Sequence, residues 1–106
     1  MVDAGQVPQL AGALQLATSG VVPGGTLNNR EYTAPAVSYD DGVPEVLRVL
    51  LNDAQTSGSL LISVPRQKAG SLLVLLAEKG VEGATVIGSV EGGRAAGEPS
   101  IIRVKP

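Results

Sequence analysis

Two short stretches combine polar side chains with glycine, and either could contact a negatively charged ligand. The first is "VPGGTLNNREY" over residues 22–32, which contains Gly24, Gly25, Thr26, Asn28, Asn29 and Arg30. Glycine lets the backbone bend tightly or approach a ligand closely, so one interpretation is a phosphate-contacting loop. Neither the P-loop spacing nor the dinucleotide-binding fingerprint is present. The residues alone therefore favour the alternative, a Pro-Gly turn that opens a short helix with Thr26 as its N-cap.

The second stretch is "DAQTSGS" over residues 53–59, between a helix-like segment and an apolar one. Successive small residues allow backbone N–H groups to converge on an anion. The candidate contacts are Gln55, Thr56, Ser57 and Gly58. The alternative, again favoured by the local residues, is a helix-to-strand turn in which Asp53 and Ser57 satisfy nearby backbone groups.

A pair of carboxylates, Asp40 and Asp41 in "SYDDG", could bind Mg²⁺. The favoured interpretation is that they cap a helix predicted over residues 44–52, where a carboxylate is worth up to about 1 kcal/mol. Arg94, in "EGGRAAGEP", is interpreted as a solvated loop charge.

The composition removes the commonest catalytic and metal-binding side chains. The 106 residues include no His and no Cys, so any function depends on carboxylates, hydroxyls, amides, backbone N–H groups or basic residues. A chain of this length is one domain, or a piece of one, with a single modest core. Two Tyr and no Phe or Trp leave that core to aliphatic residues.

Charge and hydropathy argue against two classes of partner. Eight Lys+Arg against ten Asp+Glu give a net charge of −2, and so few aromatic residues provide no stacking platform, so nucleic-acid binding is not expected. No apolar run approaches the ~20 residues of a membrane span, so no membrane association is expected. A cysteine-free sequence fits a cytoplasmic protein, which is the predicted location.

The hydrophobic periodicity predicts three helices and three strands. The helices span residues 8–19, 44–52 and 66–79, and the strands span residues 59–64, 84–90 and 100–104. Residues 21–42 show no sustained period and are predicted to be a long loop with one helical turn around residues 28–32. Residues 91–99 are predicted to be a polar loop.

This order of elements predicts an α+β fold. The second half reads β-α-β-β, with a right-handed crossover and a last strand that returns antiparallel between the other two. The expected result is a small split βαβ sheet of ferredoxin-like type with helices on one face. The first half has two helices, a long loop and no convincing strand, which suggests the tail of a larger protein.

The two motifs, in this order, resemble the C-terminal part of the selenophosphate synthetases (selenide, water dikinases). The segments that carry the resemblance are "SGVVPGGTLNNREY", an acidic loop, "PEVLRVLLNDAQTSGSLLISVP", a helix and "ATVIGSV". The family pattern is a Val-Pro-Gly-Gly-Thr-x-x-Asn loop followed by Asp-Pro-Gln-Thr-Ser-Gly-Gly-Leu-Leu, within the wider aminoimidazole-ribonucleotide-synthetase superfamily. The match covers almost the whole chain.

The resemblance implies an enzyme that converts selenide, ATP and water into selenophosphate, AMP and phosphate, with Mg²⁺. It implies that residues 1–106 are most of a second domain whose partner, an ATP-binding N-terminal domain, is absent, so no cofactor is expected to bind this fragment alone. The family's cofactor-binding positions carried over are Gly24, Gly25, Thr26, Asn29, Gln55, Thr56, Ser57 and Gly58, with Asp53 beside them. A fragment without its neighbours exposes apolar surface, and a homodimer is one way to cover it.

The sequence departs from the family pattern at three positions. Asn28 stands where the family often has Arg, Ala54 replaces Pro, and Ser59 replaces the second Gly, which puts a positive φ or a close ligand approach in doubt there. The family's Cys/Sec–Lys nucleophilic region, its N-terminal glycine-rich loop and its metal-binding Asp residues have no counterpart in this chain, nor does its Asp-Val-Thr-Gly-Phe-Gly segment. The chain alone is therefore expected to be inactive; the alternative is a free-standing ferredoxin-like module that binds a partner or a small anion.

Overall fold

A computed structural model describes residues 1–92, 97 and 100–106. Within these residues the chain forms four α-helices and three short strands. In chain order they are β1 (Val2–Asp3), α1 (Ala13–Thr18), α2 (Gly24–Thr33), β2 (Val37–Tyr39), α3 (Glu45–Leu50), α4 (Arg66–Glu78) and β3 (Ile102–Lys105). Short 3-10 turns follow β1 and α2. Arg94 and most of the predicted polar loop 91–99 lie outside the described residues.

The three strands form one parallel sheet in the order β1-β3-β2. Val104, in the central strand, is paired with Val2 on one side and with Tyr39 on the other. An α+β arrangement of a small sheet with helices is thus confirmed, whereas the ferredoxin-like split βαβ is not. The last strand is central, as expected, but it runs parallel to its neighbours. Both neighbours come from the first 39 residues, and strands of two and three residues are too short to show a period-2 pattern.

The predicted strand at residues 59–64 is absent, because this segment has no regular secondary structure and belongs to no sheet. Its leucines are among the most exposed apolar residues of the described chain, with Leu60 at 87% and Leu61 at 83%. A sequence that is apolar on both faces is typical of a central strand, which needs paired neighbours. No strand pairs with it within the described residues. The segment therefore has the hydrophobic pattern of a buried strand but not the backbone hydrogen bonds of one.

The predicted strand at residues 84–90 is reduced to an antiparallel bridge between Gly88 and Val2. The Asp3 N–H donates to the Ile87 carbonyl at 2.8 Å, and the Ser89 N–H donates to the Met1 carbonyl at 2.9 Å. A Cβ on Gly88 would overlap the Met1 carbonyl oxygen, so this close approach requires glycine. The segment lies along the outer edge of β1, and it does not adjoin β3 as predicted.

The predicted long loop at residues 21–42 is wrong, because it contains α2, a 3-10 turn and β2. The helical turn predicted at residues 28–32 lies inside α2. Glycine, threonine and asparagine have low helix propensity, so this helix has a weak signal in the sequence. Tertiary contacts with α3 and the segment that follows it stabilise α2 instead.

Two helix ends also differ from expectation. Pro23 occupies the N-cap position of α2, so Thr26 is not the N-cap but lies inside the first turn. The helix predicted at residues 8–19 begins only at Ala13, because Gly12 adopts a φ of 84°, a left-handed conformation that a helix cannot continue through. By contrast, α3 and α4 lie within one or two residues of their predicted limits at 44–52 and 66–79.

The small core lies between the sheet and α3. Its buried residues in the described chain are Ala4, Val43 and Val104; Val2, Val37, Tyr39, Leu47 and Leu51 pack against them. Burial of Leu47 and Leu51 fixes the orientation of α3 on the sheet. This packing places Asn52 and Asp53, which directly follow α3, beside the first turn of α2.

The helix α4 adds little to this core. None of its residues is fully buried, although its predicted apolar stripe (Ala69, Leu72, Leu73 and Leu76) is its half-buried face. No helix of the described chain is both long enough and apolar enough to cross a lipid bilayer.

Candidate functional site

A pair of hydrogen bonds joins the two glycine-containing motifs. The Thr26 hydroxyl donates to Oδ1 of Asp53 at 3.1 Å, and the Ala54 N–H donates to the same hydroxyl at 3.1 Å. Thr26 is only 1% exposed, so its hydroxyl is removed from water and uses both its donor and its acceptor capacity inside the protein. Thr26 of the first motif therefore fixes the position of Asp53 and Ala54, the first two residues of the second motif.

Gly25 makes this approach sterically possible. A Cβ at this position would lie 2.9 Å from the Cβ of Ala54, closer than two methyl carbons can approach. A Cβ on Gly24 would meet no atom within 4 Å. Of the two consecutive glycines, only Gly25 is thus required by the contact between the motifs.

Asn52 fixes the second motif to three different elements. Its side-chain amide donates to the Tyr39 hydroxyl at 2.9 Å and to the Arg48 carbonyl at 2.8 Å, and its Oδ1 accepts from the Thr33 hydroxyl at 2.7 Å. The Asn52 carbonyl also accepts from Nδ2 of Asn29 at 3.1 Å. Because Asn52 is 8% exposed, these bonds satisfy a polar side chain that water does not reach freely.

An ion pair strengthens the contact between α2 and α3. The Arg30 guanidinium in α2 contacts the Glu45 carboxylate in the first turn of α3. Both side chains are partly solvated, so the pair contributes little energy by itself. The first motif thus supplies at least four contacts that orient α2 against α3 and its continuation: those of Gly25, Thr26, Asn29 and Arg30.

Residues 55–58 directly follow Asn52, Asp53 and Ala54, whose hydrogen bonds were described above, and they are exposed. The side chains of Gln55, Thr56 and Ser57 form no hydrogen bond with another described residue. Position 59, where the family pattern has glycine, raises no conformational conflict. No non-glycine residue of the described chain has a positive φ, so serine is compatible with this backbone.

One member of the acidic pair, Asp40, pairs with an arginine and does not cap α3. The Asp40 carboxylate accepts from Nε and Nη2 of Arg103 in β3, at 2.9 and 3.2 Å, and the hydrogen bond with Asp40 raises the pKa of Arg103 above its ordinary value. No side chain caps α3, whose N-cap is Pro44, so the predicted capping is wrong. Among the described residues, no three acidic side chains lie close enough together to hold a metal ion.

Sequence reasoning identified both motifs but missed the residue that connects them to the core. Asn52 precedes the second motif and ends a helix of apolar residues, so a buried polar position there was a detectable signal. Its partners Thr33 and Tyr39 gave no such signal, because both lie within residues 21–42, which were predicted to be a loop.

Comparisons with known proteins agree with the resemblance in the motifs. The chain is 41% identical over 93 residues to a selenide, water dikinase of Myxococcus xanthus, a match that covers 88% of this chain and 26% of that protein. A selenide, water dikinase of Pelobacter propionicus is 41% identical over 89 residues, and one of Clostridioides difficile is 34% identical over 89 residues. Each of these two matches covers 84% of this chain and 26% of the relative. No family model matches the chain.

The chain thus spans about 26% of the length of the curated relatives that it matches. A match over 93 of the 106 residues necessarily includes both motifs. The predicted relationship is therefore confirmed: the chain is related to the C-terminal part of the selenophosphate synthetases, the selenide, water dikinases.

Proposed function

We propose that the chain acts as part of a selenide, water dikinase, which converts selenide, ATP and water into selenophosphate, AMP and phosphate. The names of the relatives support the reaction. Because the matches cover only 26% of those proteins, ATP, Mg²⁺, selenide and the reacting groups are assigned to the complete protein and not to this chain alone. A cytoplasmic location belongs to this proposal and depends on the cysteine-free sequence.

The role proposed for this chain is to present residues 55–58 to the ATP-binding domain. The observation that carries the proposal is the pair of hydrogen bonds of the Thr26 hydroxyl, which donates to Oδ1 of Asp53 and accepts from the Ala54 N–H, because they fix the backbone just before the exposed segment. Seven of the eight candidate residues then divide into two groups. Gly25, Thr26 and Asn29 are positioning residues, whereas Gln55, Thr56, Ser57 and Gly58 are candidates for ligand contact, and Gly24 is exposed beside them.

The donors that this surface offers suit phosphate oxygen better than a metal ion. Hydroxyl, amide and backbone N–H groups bind anionic oxygen, while Mg²⁺ prefers carboxylates and retained waters. Asp53 is the nearest carboxylate, and one of its oxygens already accepts from Thr26. ATP, when bound by the complete protein, supplies the phosphoryl group; residues 55–58 would orient its phosphates and would not hold the metal.

The chain alone is proposed to be inactive. It contains no Cys and no His, so it lacks the side chains most often used as nucleophile or general base. Selenide-dependent formation of AMP by the purified 106-residue chain would contradict this part of the proposal.

The test of the function uses the full-length protein that contains this chain. Selenophosphate and AMP formation are measured for the wild type, for Thr56→Val and for Thr85→Val, a matched exposed threonine outside both motifs. We expect Thr56→Val to lower turnover by at least about tenfold, equivalent to about 1.4 kcal/mol, with an unchanged melting temperature. Thr85→Val should retain wild-type turnover. A full-length wild type without selenide-dependent activity would contradict the proposed function.

A further inference from the structure

Tyr39 is the last residue of β2 and lies at the carboxyl end of the parallel sheet. The sheet fixes its backbone, because Tyr39 is paired with Val104 in the central strand and the Asp40 N–H donates to the Val104 carbonyl at 2.8 Å. Ligands of α/β proteins commonly bind beyond the carboxyl ends of parallel strands. A side chain at this end of β2 is therefore well placed to connect the sheet to a site.

Arg48 in α3 holds the aromatic ring of Tyr39. The centre of its guanidinium lies 5.3 Å from the ring centroid, which is within the range of a cation–π contact. The same guanidinium donates from Nε to the Val43 carbonyl at 2.9 Å and from Nη2 to the Asp40 carbonyl at 3.2 Å. Because the guanidinium is planar and rigid, these two bonds fix its orientation and so restrict the ring that it contacts.

The hydroxyl of this ring contacts Asn52, the residue directly before the second motif. It accepts from the Asn52 side-chain amide at 2.9 Å. The amide also donates to the Arg48 carbonyl, and its Oδ1 accepts from the Thr33 hydroxyl. An amide side chain that uses both its donor and its acceptor groups in this way is held in one orientation. Asn52 is thereby connected to the end of β2.

The beginning of the second motif is thus held from two directions. Thr26 contacts Asp53 and Ala54 from α2, whereas Tyr39 contacts Asn52 from the sheet. A single contact would fix one point and leave the chain free to turn about it. Contacts on consecutive residues also fix the direction in which residues 55–58 leave the protein.

We propose that Tyr39 is a positioning residue for the ligand contacts of residues 55–58 and that it acts through Asn52. The inference rests on the proposed function, in which residues 55–58 orient the phosphates of ATP. Hydrogen bonds weaken steeply with distance and angle, so a displacement of about 1 Å in these residues is enough to impair binding. The Tyr39 hydroxyl itself contacts Asn52 and not the ligand.

The two tyrosines of the sequence provide a matched pair of variants. Tyr39→Phe removes the hydroxyl and keeps the ring against Arg48. Tyr32→Phe removes the same atom from a side chain in α2 that is 88% exposed. The kcat and the KM for ATP are measured with the full-length protein, well below its melting temperature. We expect Tyr39→Phe to raise the KM for ATP at least about fivefold, and Tyr32→Phe to leave it within about twofold of the wild type.

The KM distinguishes a positioning role from a purely structural one. Partial unfolding lowers the concentration of active enzyme and therefore the apparent kcat, but it leaves the KM of the folded molecules unchanged. A Tyr39→Phe variant with a lower melting temperature and a wild-type KM would overturn the inference. An equal rise in KM for Tyr32→Phe would also overturn it.

Amide hydrogen exchange gives a measurement that does not depend on activity. The Ala54 N–H donates to the Thr26 hydroxyl, so its exchange rate reports whether the beginning of the second motif stays in place. We expect this amide to exchange at least about tenfold faster in Tyr39→Phe than in Tyr32→Phe, with a smaller change in the amides of α4, which report global stability. An unchanged rate at Ala54 would overturn the route through Asn52. Faster exchange at Ala54 in a protein without dikinase activity would preserve the positioning role and refute the proposed function; an unchanged rate and an unchanged KM in an active enzyme would do the reverse.

Discussion

The Thr26 hydroxyl lies 3.1 Å from Oδ1 of Asp53, and this bond crosses from the first glycine-containing motif to the second. The Ala54 N–H completes the contact by donating to the same hydroxyl. Two stretches whose bonded residues, Thr26 and Asp53, are 27 positions apart in the sequence thus form one structural unit. Their polar side chains have different roles, since Thr26 and Asn29 of the first motif form hydrogen bonds with the second, whereas residues 55–58 are exposed.

Removal of the Thr26 hydroxyl should destabilise the protein. Thr26→Val keeps the shape of the side chain but leaves a partly buried carboxylate and a backbone N–H without their partner, so we expect a loss of about 1–3 kcal/mol in the free energy of unfolding. Chemical denaturation of the full-length protein measures this loss. Thr26→Ser should restore most of the stability, because serine keeps the hydroxyl.

Thr18→Val is the control for this substitution. The Thr18 hydroxyl also forms a hydrogen bond, to the Leu14 carbonyl, but the residue is exposed and water can replace its partner. Its effect should stay within about 0.5 kcal/mol. Equal losses in the free energy of unfolding at Thr26 and Thr18 would contradict this prediction. They would show that the hydrogen bonds between the two motifs stabilise the protein no more than an exposed hydrogen bond does.

Asn52 should tolerate substitution even less well than Thr26. Asn52→Ala removes the partner of the Thr33 and Tyr39 hydroxyls and of the Arg48 carbonyl in one step. A loss of about 2–4 kcal/mol is expected from a buried polar network of this kind, measured by denaturation of the full-length protein. Asn28→Ala, at an exposed residue of the same type, should change the stability by less than about 0.5 kcal/mol. A comparable loss for both variants would contradict the role assigned to Asn52.

The sequence predicted those elements whose signals are local. The helix α4 matches its predicted limits within one residue, because a stripe of leucines recurs at helical spacing and Gly80 ends it. The strand β3 (Ile102–Lys105) was also predicted, at residues 100–104, from a short apolar run. By contrast, β1 and β2 are too short for any periodicity, and α2 consists largely of residues with weak helix propensity.

For residues 60–64 the sequence predicted a strand that the structure does not contain. These residues carry the pattern of a buried strand, but strand formation depends on a partner, and none pairs with them within the described residues. The motifs themselves were recognised from sequence, whereas the particular hydrogen bonds that join them were not. The hydrogen bond between Thr26 and Asp53 depends on the angle between α2 and α3, and that angle is set by tertiary packing.

The two consecutive glycines of the first motif provide a matched pair for a steric test. A Cβ on Gly25 would lie 2.9 Å from the Cβ of Ala54, whereas a Cβ on Gly24 would meet nothing within 4 Å. Gly25→Ala should therefore force α2 away from Ala54 at a cost of about 1–3 kcal/mol in the free energy of unfolding. Gly24→Ala should be neutral, or stabilising by up to about 1 kcal/mol, because alanine has the higher helix propensity.

The double variant distinguishes this clash from a general effect of alanine. Ala54→Gly removes the methyl group that the new Cβ would strike, so Gly25→Ala combined with Ala54→Gly should be more stable than the two separate losses predict. A coupling of at least about 0.5 kcal/mol in this double-mutant cycle is expected for residues in direct contact. If the losses simply add, or if Gly24→Ala is as destabilising as Gly25→Ala, then Gly25 does not owe its identity to the contact between α2 and the second motif.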